Sequence, residues 1–403
     1  MNRLKVVALV VLVSLVTLKM PYPVLAVLML WSVVCMFLLP RAKRRPVKIA
    51  LANLGMVFLI LAALECLLWI HPNLFKPSAP EGHTEGSYTN LEFYFRQNVP
   101  VLGYAAYPSV QATSRKMHGG RILYDVIYSM NSHGLRITPP ARIPGARGVL
   151  FFGCSFTLGE GVRDEEAMPY QVGLMAGDGF QVYNFGFHGY GPHQMLAALE
   201  YGFVDSVATV TPKYVIYQAL PEHVGRAAGL SSWDRHGPRY QLTPEGSVVY
   251  TGPFDASLWT PGPVEAYVRW QAQKSSIGRL ILAWPRSPTR QDVARFVAIV
   301  TQTKRLTETR WPGSEFHVLF WSDGTRMSRR IERELREQGV RVHEIVEAIP
   351  GIDRMPSRYR IPIDGHPTEL AHREIARYVT ERILHAPPAR AAQGPGIDSR
   401  AEH

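Results

Sequence analysis

Ser155, Asp364 and His366 are the residues whose types and places suit shared chemistry. A serine hydroxyl is a weak nucleophile at its own pKa and needs a neighbouring base. An imidazole supplies that base, and a carboxylate two residues before it can hold the second ring nitrogen in the required tautomer. Ser155 stands in Gly153-Cys154-Ser155-Phe156, directly after the apolar run 149–152. Asp364 and His366 stand in Ile363-Asp364-Gly365-His366-Pro367-Thr368, where Pro367 is expected to start the last helix. The chemistry this set serves is acyl transfer through a serine ester. Its oxyanion would be met by the N–H groups of Ser155 and Gly189, the latter in a glycine-rich loop where the backbone can approach closely.

These residues are far apart in the chain, so a sheet must bring them together. The run at 149–152 reads as a strand buried on both faces of a parallel sheet. From 147 to about 386 strands and helices alternate. Strands are expected near 148–152, 181–185, 213–219, 315–321 and 340–344, and helices near 165–176, 193–204, 290–308, 326–338 and 368–384. The fold class is α/β, a three-layer α/β/α sandwich on a five-stranded parallel sheet. Four loops then emerge on its carboxyl edge: those holding Ser155, Asn184 to Pro192, Glu222-His223-Val224-Gly225-Arg226, and His366. Between 225 and 290 the pattern is irregular and reads as an insertion near the carboxyl ends of the strands.

Ahead of this domain, residues 101–137 are β-like. The stretch 121–130 alternates and is rich in β-branched and aromatic residues, between Gly119-Gly120 and Asn131-Ser132-His133-Gly134. A small β-layer leaning on the main domain is expected there. Residues 71–90, rich in Pro, Gly, Ser and Thr, read as a tether.

The net charge of +11 resembles a nucleic-acid signal until it is mapped. Residues 1–64 hold no acid but carry Arg3, Lys5, Lys19, Arg41, Lys43, Arg44, Arg45 and Lys48, so most of the excess belongs to membrane topology. Apolar segments at 6–18, 24–39 and 49–70 read as about three spans, although the first is short and a signal peptide is the alternative. Val24-Leu25-Ala26 resembles a cleavage site, but the chain stays apolar for another dozen residues. Arg41-Ala42-Lys43-Arg44-Arg45 pins its loop to the cytoplasm, which puts the remainder of the chain on the far side. The expected divisions are a membrane anchor over 1–71, a linker and β-subdomain over 72–146, the α/β domain over 147–386 and a disordered tail over 387–403.

Cys35, Cys66 and Cys154 form no disulfide framework or Cys-x-x-Cys metal site. His188, His193, His223 and His372 lack accompanying ligands at metal spacing, so neither metal nor cofactor is expected. His372 is expected to pack or cap on the final helix. Arg136 and Arg226 carry planar forks that suit an acidic sugar, with a structural ion pair as the alternative.

At Gly153 to Val162, Asn184 to Pro192 and Asp364 to His372, the sequence resembles the SGNH/GDSL hydrolase superfamily, in its membrane-anchored bacterial branch acting on cell-surface polysaccharide. The resemblance covers about 147–386. It implies a nucleophile at Ser155, an oxyanion glycine at Gly189 and an Asp–His pair at Asp364 and His366. Where the superfamily carries an oxyanion asparagine, counting from Pro212 arrives at Glu222, followed by His223. An ionised glutamate cannot donate a hydrogen bond, so His223 or a protonated Glu222 would have to substitute. Asn184 and Arg226 join these two as possible substrate or oxyanion contacts.

The expected function is a serine acyl esterase or O-acyltransferase, acting on O-acetyl groups of polysaccharide, with either water or a sugar hydroxyl as acceptor. The expected place is a bacterial inner membrane with the catalytic domain outside the cytoplasm. Membrane, acylated polysaccharide and membrane enzymes of polysaccharide synthesis are the expected partners, with no nucleic acid. The alternative is a catalytically weak or inactive protein of the same fold that binds polysaccharide or serves its assembly.

Overall fold

A computed structural model describes residues 23–71, 84–89, 94–140, 143–257, 274–278 and 287–385. The chain forms two compact units: residues 1–82 with 258–286, and residues 83–257 with 287–403.

In the first unit, helix α1 (Pro23–Leu38) and helix α2 (Arg45–Ile70) pair as a hairpin. Ser32 Oγ donates to Gly55 O at 3.0 Å, and the Trp31 and Phe58 rings meet at 6.3 Å. Helix α2, capped by Arg44 and carrying Pro46 in its first turn, is long and apolar enough to cross a membrane; α1 is shorter. The expected segment at 6–18 lies outside the described residues. Glu65 on α2 is buried, accepting from Ser275 Oγ at 2.8 Å, Ser276 N at 2.5 Å and Ile277 N at 2.9 Å. The stretch expected as one insertion over 225–290 is therefore split. Residues 258–286 group with the N-terminal helices, while 238–253 fold as a hairpin in the second unit.

The second unit opens with strand β1 (Thr84–Thr89), inside the stretch expected as a tether. It pairs antiparallel with β4 (Gln111–His118), which pairs with β5 (Arg121–Ser129) across Gly119-Gly120. Strands β2 (Phe95–Val99) and β3 (Gly103–Ala106) form a separate hairpin. The main sheet takes β6 (Arg147–Phe152), β7 (Phe180–Asn184), β8 (Pro212–Ala219), β11 (Glu315–Phe320) and β12 (Arg341–Glu344), in the order β12-β11-β8-β6-β7, all parallel. Strands β9 (Pro238–Leu242) and β10 (Val248–Pro253) are the hairpin just named.

Alternate residues of the central strands feed two separate cores, which is why their sequences are continuously apolar. Leu150, Phe152, Val215, Tyr217, Val318 and Phe320 face one side, packing with residues of the helices Pro192–Glu200, Arg290–Arg310 and Arg326–Glu337. Val149, Phe151, Tyr214, Ile216 and Leu319 face the other, with residues of Met168–Ala176 and Glu369–Tyr378. This is the three-layer sandwich expected. Strand β6 has β7 on one side and β8 on the other, so the direction of winding reverses at its end, the customary ligand crevice of such sheets. A third cluster joins Tyr94, Tyr104 and Tyr128 to Leu158, Phe187 and Tyr190, packing the small β-layer onto the loops at that end.

Candidate active site

The turn after β6 is shaped by Gly153, whose φ is +153° and whose missing Cβ would lie 2.2 Å from Thr157 Oγ1. A side chain there would expel the threonine that donates to Gln218 Oε1 at 2.8 Å. Ser155 then opens a helical turn, Ser155–Leu158, and its carbonyl accepts from Gly159 N and Glu160 N, both at 2.9 Å.

The other half of the site sits on a tight turn. Asp364 N donates to Pro362 O at 2.7 Å, Gly365 N to Ile361 O at 2.8 Å, and Ile361 N to His366 O at 2.8 Å. The following helix starts at Glu369 with Thr368 as its cap, so Pro367 lies before it rather than opening it.

Across 211 residues of chain, His366 Nε2 lies 2.8 Å from Ser155 Oγ. His366 Nδ1 lies 2.6 Å from Asp364 Oδ1, which also accepts from His366 N at 3.0 Å. Asp364 Oδ2 receives Lys116 Nζ at 2.5 Å. Burial of Asp364 opposes its ionisation, but the hydrogen bonds from His366 and Lys116 outweigh it and hold the carboxyl below its ordinary range. Burial likewise opposes charge on His366; the hydrogen bond it donates to Asp364 and the charge of Glu160 prevail and raise its pKa. A base more ready to take a proton, beside a hydroxyl in hydrogen-bond reach, is what activates a serine.

Glu160 was not among the residues singled out from the sequence. Its Oε2 lies 2.7 Å from His188 Nδ1 and 3.6 Å from His366 Nε2, and its Oε1 accepts from Tyr124 OH at 3.4 Å. Tyr94 OH meets His188 Nε2 at 3.0 Å, and Tyr104 OH donates to His188 O at 2.8 Å. The small β-layer thus supplies Lys116, Tyr94, Tyr104 and Tyr124 to the site. Position between Gly159 and Gly161 in the nucleophile's own loop was the one available sign of Glu160. Nothing in the alternation of β4 marked Lys116.

Gly189 adopts φ +70°, and a Cβ there would lie 2.5 Å from Trp233 Nε1 and 2.8 Å from Tyr104 OH. Its loop is drawn to the nucleophile turn, with Phe187 N donating to Gly153 O at 3.2 Å. Among the described residues, no hydrogen bond occupies the amides of Ser155 and Gly189.

Most of the remaining candidates hydrogen-bond within the fold. Asn184 is buried; its amide donates to Thr157 O at 3.2 Å and accepts from Gly186 N at 3.0 Å, tying loop to turn rather than reaching substrate. Glu222 is exposed, with Arg360 in range of its charge. His223 is fully buried, with Nδ1 2.6 Å from Tyr217 OH, and burial lowers its pKa well below the ordinary imidazole value. Arg226 is half-buried and donates through Nη1 to Tyr190 O at 2.8 Å. Arg136 is fully buried, donating to Leu158 O and Val162 O at 2.8 and 2.7 Å, to Gly159 O at 2.5 Å and to Asp164 Oδ1 at 2.8 Å.

The four histidines weighed as metal ligands separate onto different partners. His188 holds Glu160, His193 Nε2 lies 2.7 Å from Asp234 Oδ2, His223 holds Tyr217, and His372 Nδ1 accepts from Met168 N at 3.1 Å. Ligand atoms of Glu160, Asp364 and His366 do lie within 4.8 Å of one another. Both oxygens of Asp364 are already taken, one by His366 and one by the Lys116 ammonium, which stands where a cation would.

No protein-family model matches this chain, and no curated protein matches it in sequence. Among solved structures the chain is similar to Est2A, an acetyl xylan esterase from the rumen bacterium Butyrivibrio proteoclasticus, at 10% identity and a TM-score of 0.31, over 66% of this chain and 67% of that one. It is similar to Est24, a carbohydrate acetylesterase from Sinorhizobium meliloti, at 12% identity and a TM-score of 0.30, over 59% and 98%. It is also similar to AlinE4, an SGNH-hydrolase family esterase, at 15% identity and a TM-score of 0.30, over 61% and 100%. At that distance no residue role passes from them to this chain, and its function has to be argued from its own side chains.

Proposed function

We propose that this chain is a serine acyl esterase or O-acyltransferase of the SGNH/GDSL superfamily, working on acylated polysaccharide outside the cytoplasm and tethered by its N-terminal helices. The observation that carries this is the continuous hydrogen-bonded chain from Ser155 Oγ through His366 to Asp364.

Ser155 Oγ attacks the ester carbonyl while His366 Nε2 takes its proton. The charge that develops on the carbonyl oxygen is met by the amides of Ser155 and Gly189. Collapse breaks the bond to the alcohol, which leaves with the proton from His366, and the acyl group remains on Ser155. Water or a sugar hydroxyl then repeats the cycle in reverse, with His366 again as base. Asp364 keeps the imidazole oriented and stabilises its protonated form. The location draws on the acid-free, basic N-terminus and on the length of Arg45–Ile70.

The missing asparagine favours a second reading, a binding protein that keeps the fold for its cleft. Rates of p-nitrophenyl acetate hydrolysis by the full chain in detergent separate the two. The esterase reading expects Ser155→Ala to lose a thousandfold or so of the rate. Equal rates for both proteins would leave the binding reading standing.

A further inference from the structure

An indole stands open to solvent beside the oxyanion glycine. Trp233 is 58% exposed. The Cβ that Gly189 lacks would lie 2.5 Å from Trp233 Nε1 and 3.2 Å from its Cδ1, so the five-membered edge of the indole packs on the Gly189 backbone. An ester oxygen accepting from the Gly189 amide would sit no more than about 9 Å from that edge. The Nε1–H of Trp233 hydrogen-bonds the Tyr104 hydroxyl, which donates to His188 O at 2.8 Å. With the polar edge held inward, the six-membered ring supplies the exposed surface.

The loop that carries this ring is firmly built. Asp234, the next residue, is buried; its Oδ2 lies 2.7 Å from His193 Nε2 and accepts from Gln194 Nε2 at 2.8 Å. Gln194 Oε1 accepts from Gly191 N at 2.8 Å, so one side chain ties the loop of Trp233 to the loop of Gly189. Gly237 N closes the turn on Asp234 O at 3.1 Å, and a Cβ on Gly237 would lie 2.0 Å from Asp234 Oδ1. A buried carboxylate is costly unless it is hydrogen-bonded, and a large apolar face held in water adds nothing to folding. Such a face beside a reaction centre is a binding surface.

On the acyl-serine reading above, we propose that Trp233 is the platform for the sugar that carries the ester, its ring stacking on the apolar C–H face of a pyranose. An acyl group of ligand size is bound by enclosure, whereas a glycan chain has to lie along open surface. The exposed ring therefore serves the alcohol side of the ester. Trp suits that role because it joins a large apolar face to one polar edge that can be anchored. Covering the ring with a sugar is expected to strengthen binding on the order of tenfold to a hundredfold.

The test measures acetate released by the full chain in detergent from penta-O-acetylglucose and from ethyl acetate, for native protein, Trp233→Ala, Trp233→Phe and Ser155→Ala. The two esters share an acyl group and differ in the alcohol. Trp233→Ala should lower the sugar-to-ethyl ratio of kcat/KM by about tenfold or more, through a higher KM for the sugar ester. A displaced Gly189 amide would slow both esters alike, and the folded fraction cancels in the ratio. Trp233→Phe, which keeps a ring face, should retain most of the preference. A Ser155-dependent reaction whose ratio is unchanged in Trp233→Ala, or falls equally in both Trp233 variants, overturns this inference alone. No release, or release that Ser155→Ala matches, overturns the esterase reading, and this inference with it.

Discussion

Lys116 Nζ lies 2.5 Å from Asp364 Oδ2, an ion pair that joins strand β4 of the small antiparallel layer to the turn before the last helix. The layer is thereby part of the site's electrostatics as well as its cover. Lys116, Asp364 and His366 lie along one line of contact, with Glu160 Oε2 3.6 Å from the second ring nitrogen.

Replacing Lys116 by Met leaves the Asp364 carboxylate buried without its cation. Breaking a wholly buried pair costs about 3–5 kcal/mol. Lys116 keeps 21% of its side chain exposed, so water recovers part of this and a loss of about 1–3 kcal/mol is expected in denaturant unfolding. The Lys116 charge also lowers the pKa of His366. Its removal should move the acid limb of the kcat/KM profile to higher pH, since the base must be unprotonated to act. An unmoved limb would mean that the ion pair does not reach the imidazole.

The same pair of groups predicts how stability varies with pH. His366 is raised above its ordinary 6.5, so its stabilisation is fully present below that value and lost as pH rises through the folded one. Asp364 is lowered from its ordinary 3.8, so its stabilisation is present above that value and lost as pH falls through the folded one. The gap in Tm between native protein and His366→Ala should be widest between these values and narrow toward alkaline pH. A gap that widened above neutrality would contradict the assignment.

Gly189→Ala forces a side chain into φ +70° and into contact with Trp233 and Tyr104. Relief requires the loop to shift by a fraction of an ångström, which moves the Gly189 amide. Misplacement on that scale costs on the order of a hundredfold in rate. The loss should fall in kcat rather than KM, because the amide acts on charge that exists only in the transition state.

Arg136→Lys should destabilise the fold while leaving the chemistry of the folded fraction intact. The guanidinium serves three carbonyls and Asp164 from a fully buried position, and one ammonium cannot meet that fork. A loss of about 3–5 kcal/mol is expected in urea unfolding, and activity per folded molecule, titrated by active-site labelling, should remain near native.

The sheet was legible because its strands are buried on both faces and therefore written as uninterrupted apolar runs, such as the one ending at Phe152. Ser155 was legible because a glycine marks the end of one such run, and Asp364 and His366 because a carboxylate stands two residues before an imidazole ahead of the last helix. Lys116 and Glu160 were not. Lys116 is separated from Asp364 by 248 residues, and its reach depends on how the β-layer packs over the loops, which no local pattern encodes. Asn184 shows the converse. Convergent loops are foreseeable from topology, but whether a polar side chain faces substrate or closes its own loop depends on which carbonyls lie within 3 Å or so. The split of the stretch expected at 225–290 was equally invisible. Nothing in that sequence announces that Ser275, Ser276 and Ile277 bond to Glu65, more than 200 residues earlier.

The central claim is that the Ser155 hydroxyl is activated, and a fluorophosphonate probe tests it without requiring a substrate or a turnover. Native protein should be labelled covalently, with the adduct mapped by mass spectrometry to Ser155, and His366→Ala should slow labelling by two or more orders of magnitude. Labelling of native and Ser155→Ala protein at the same rate would contradict the account.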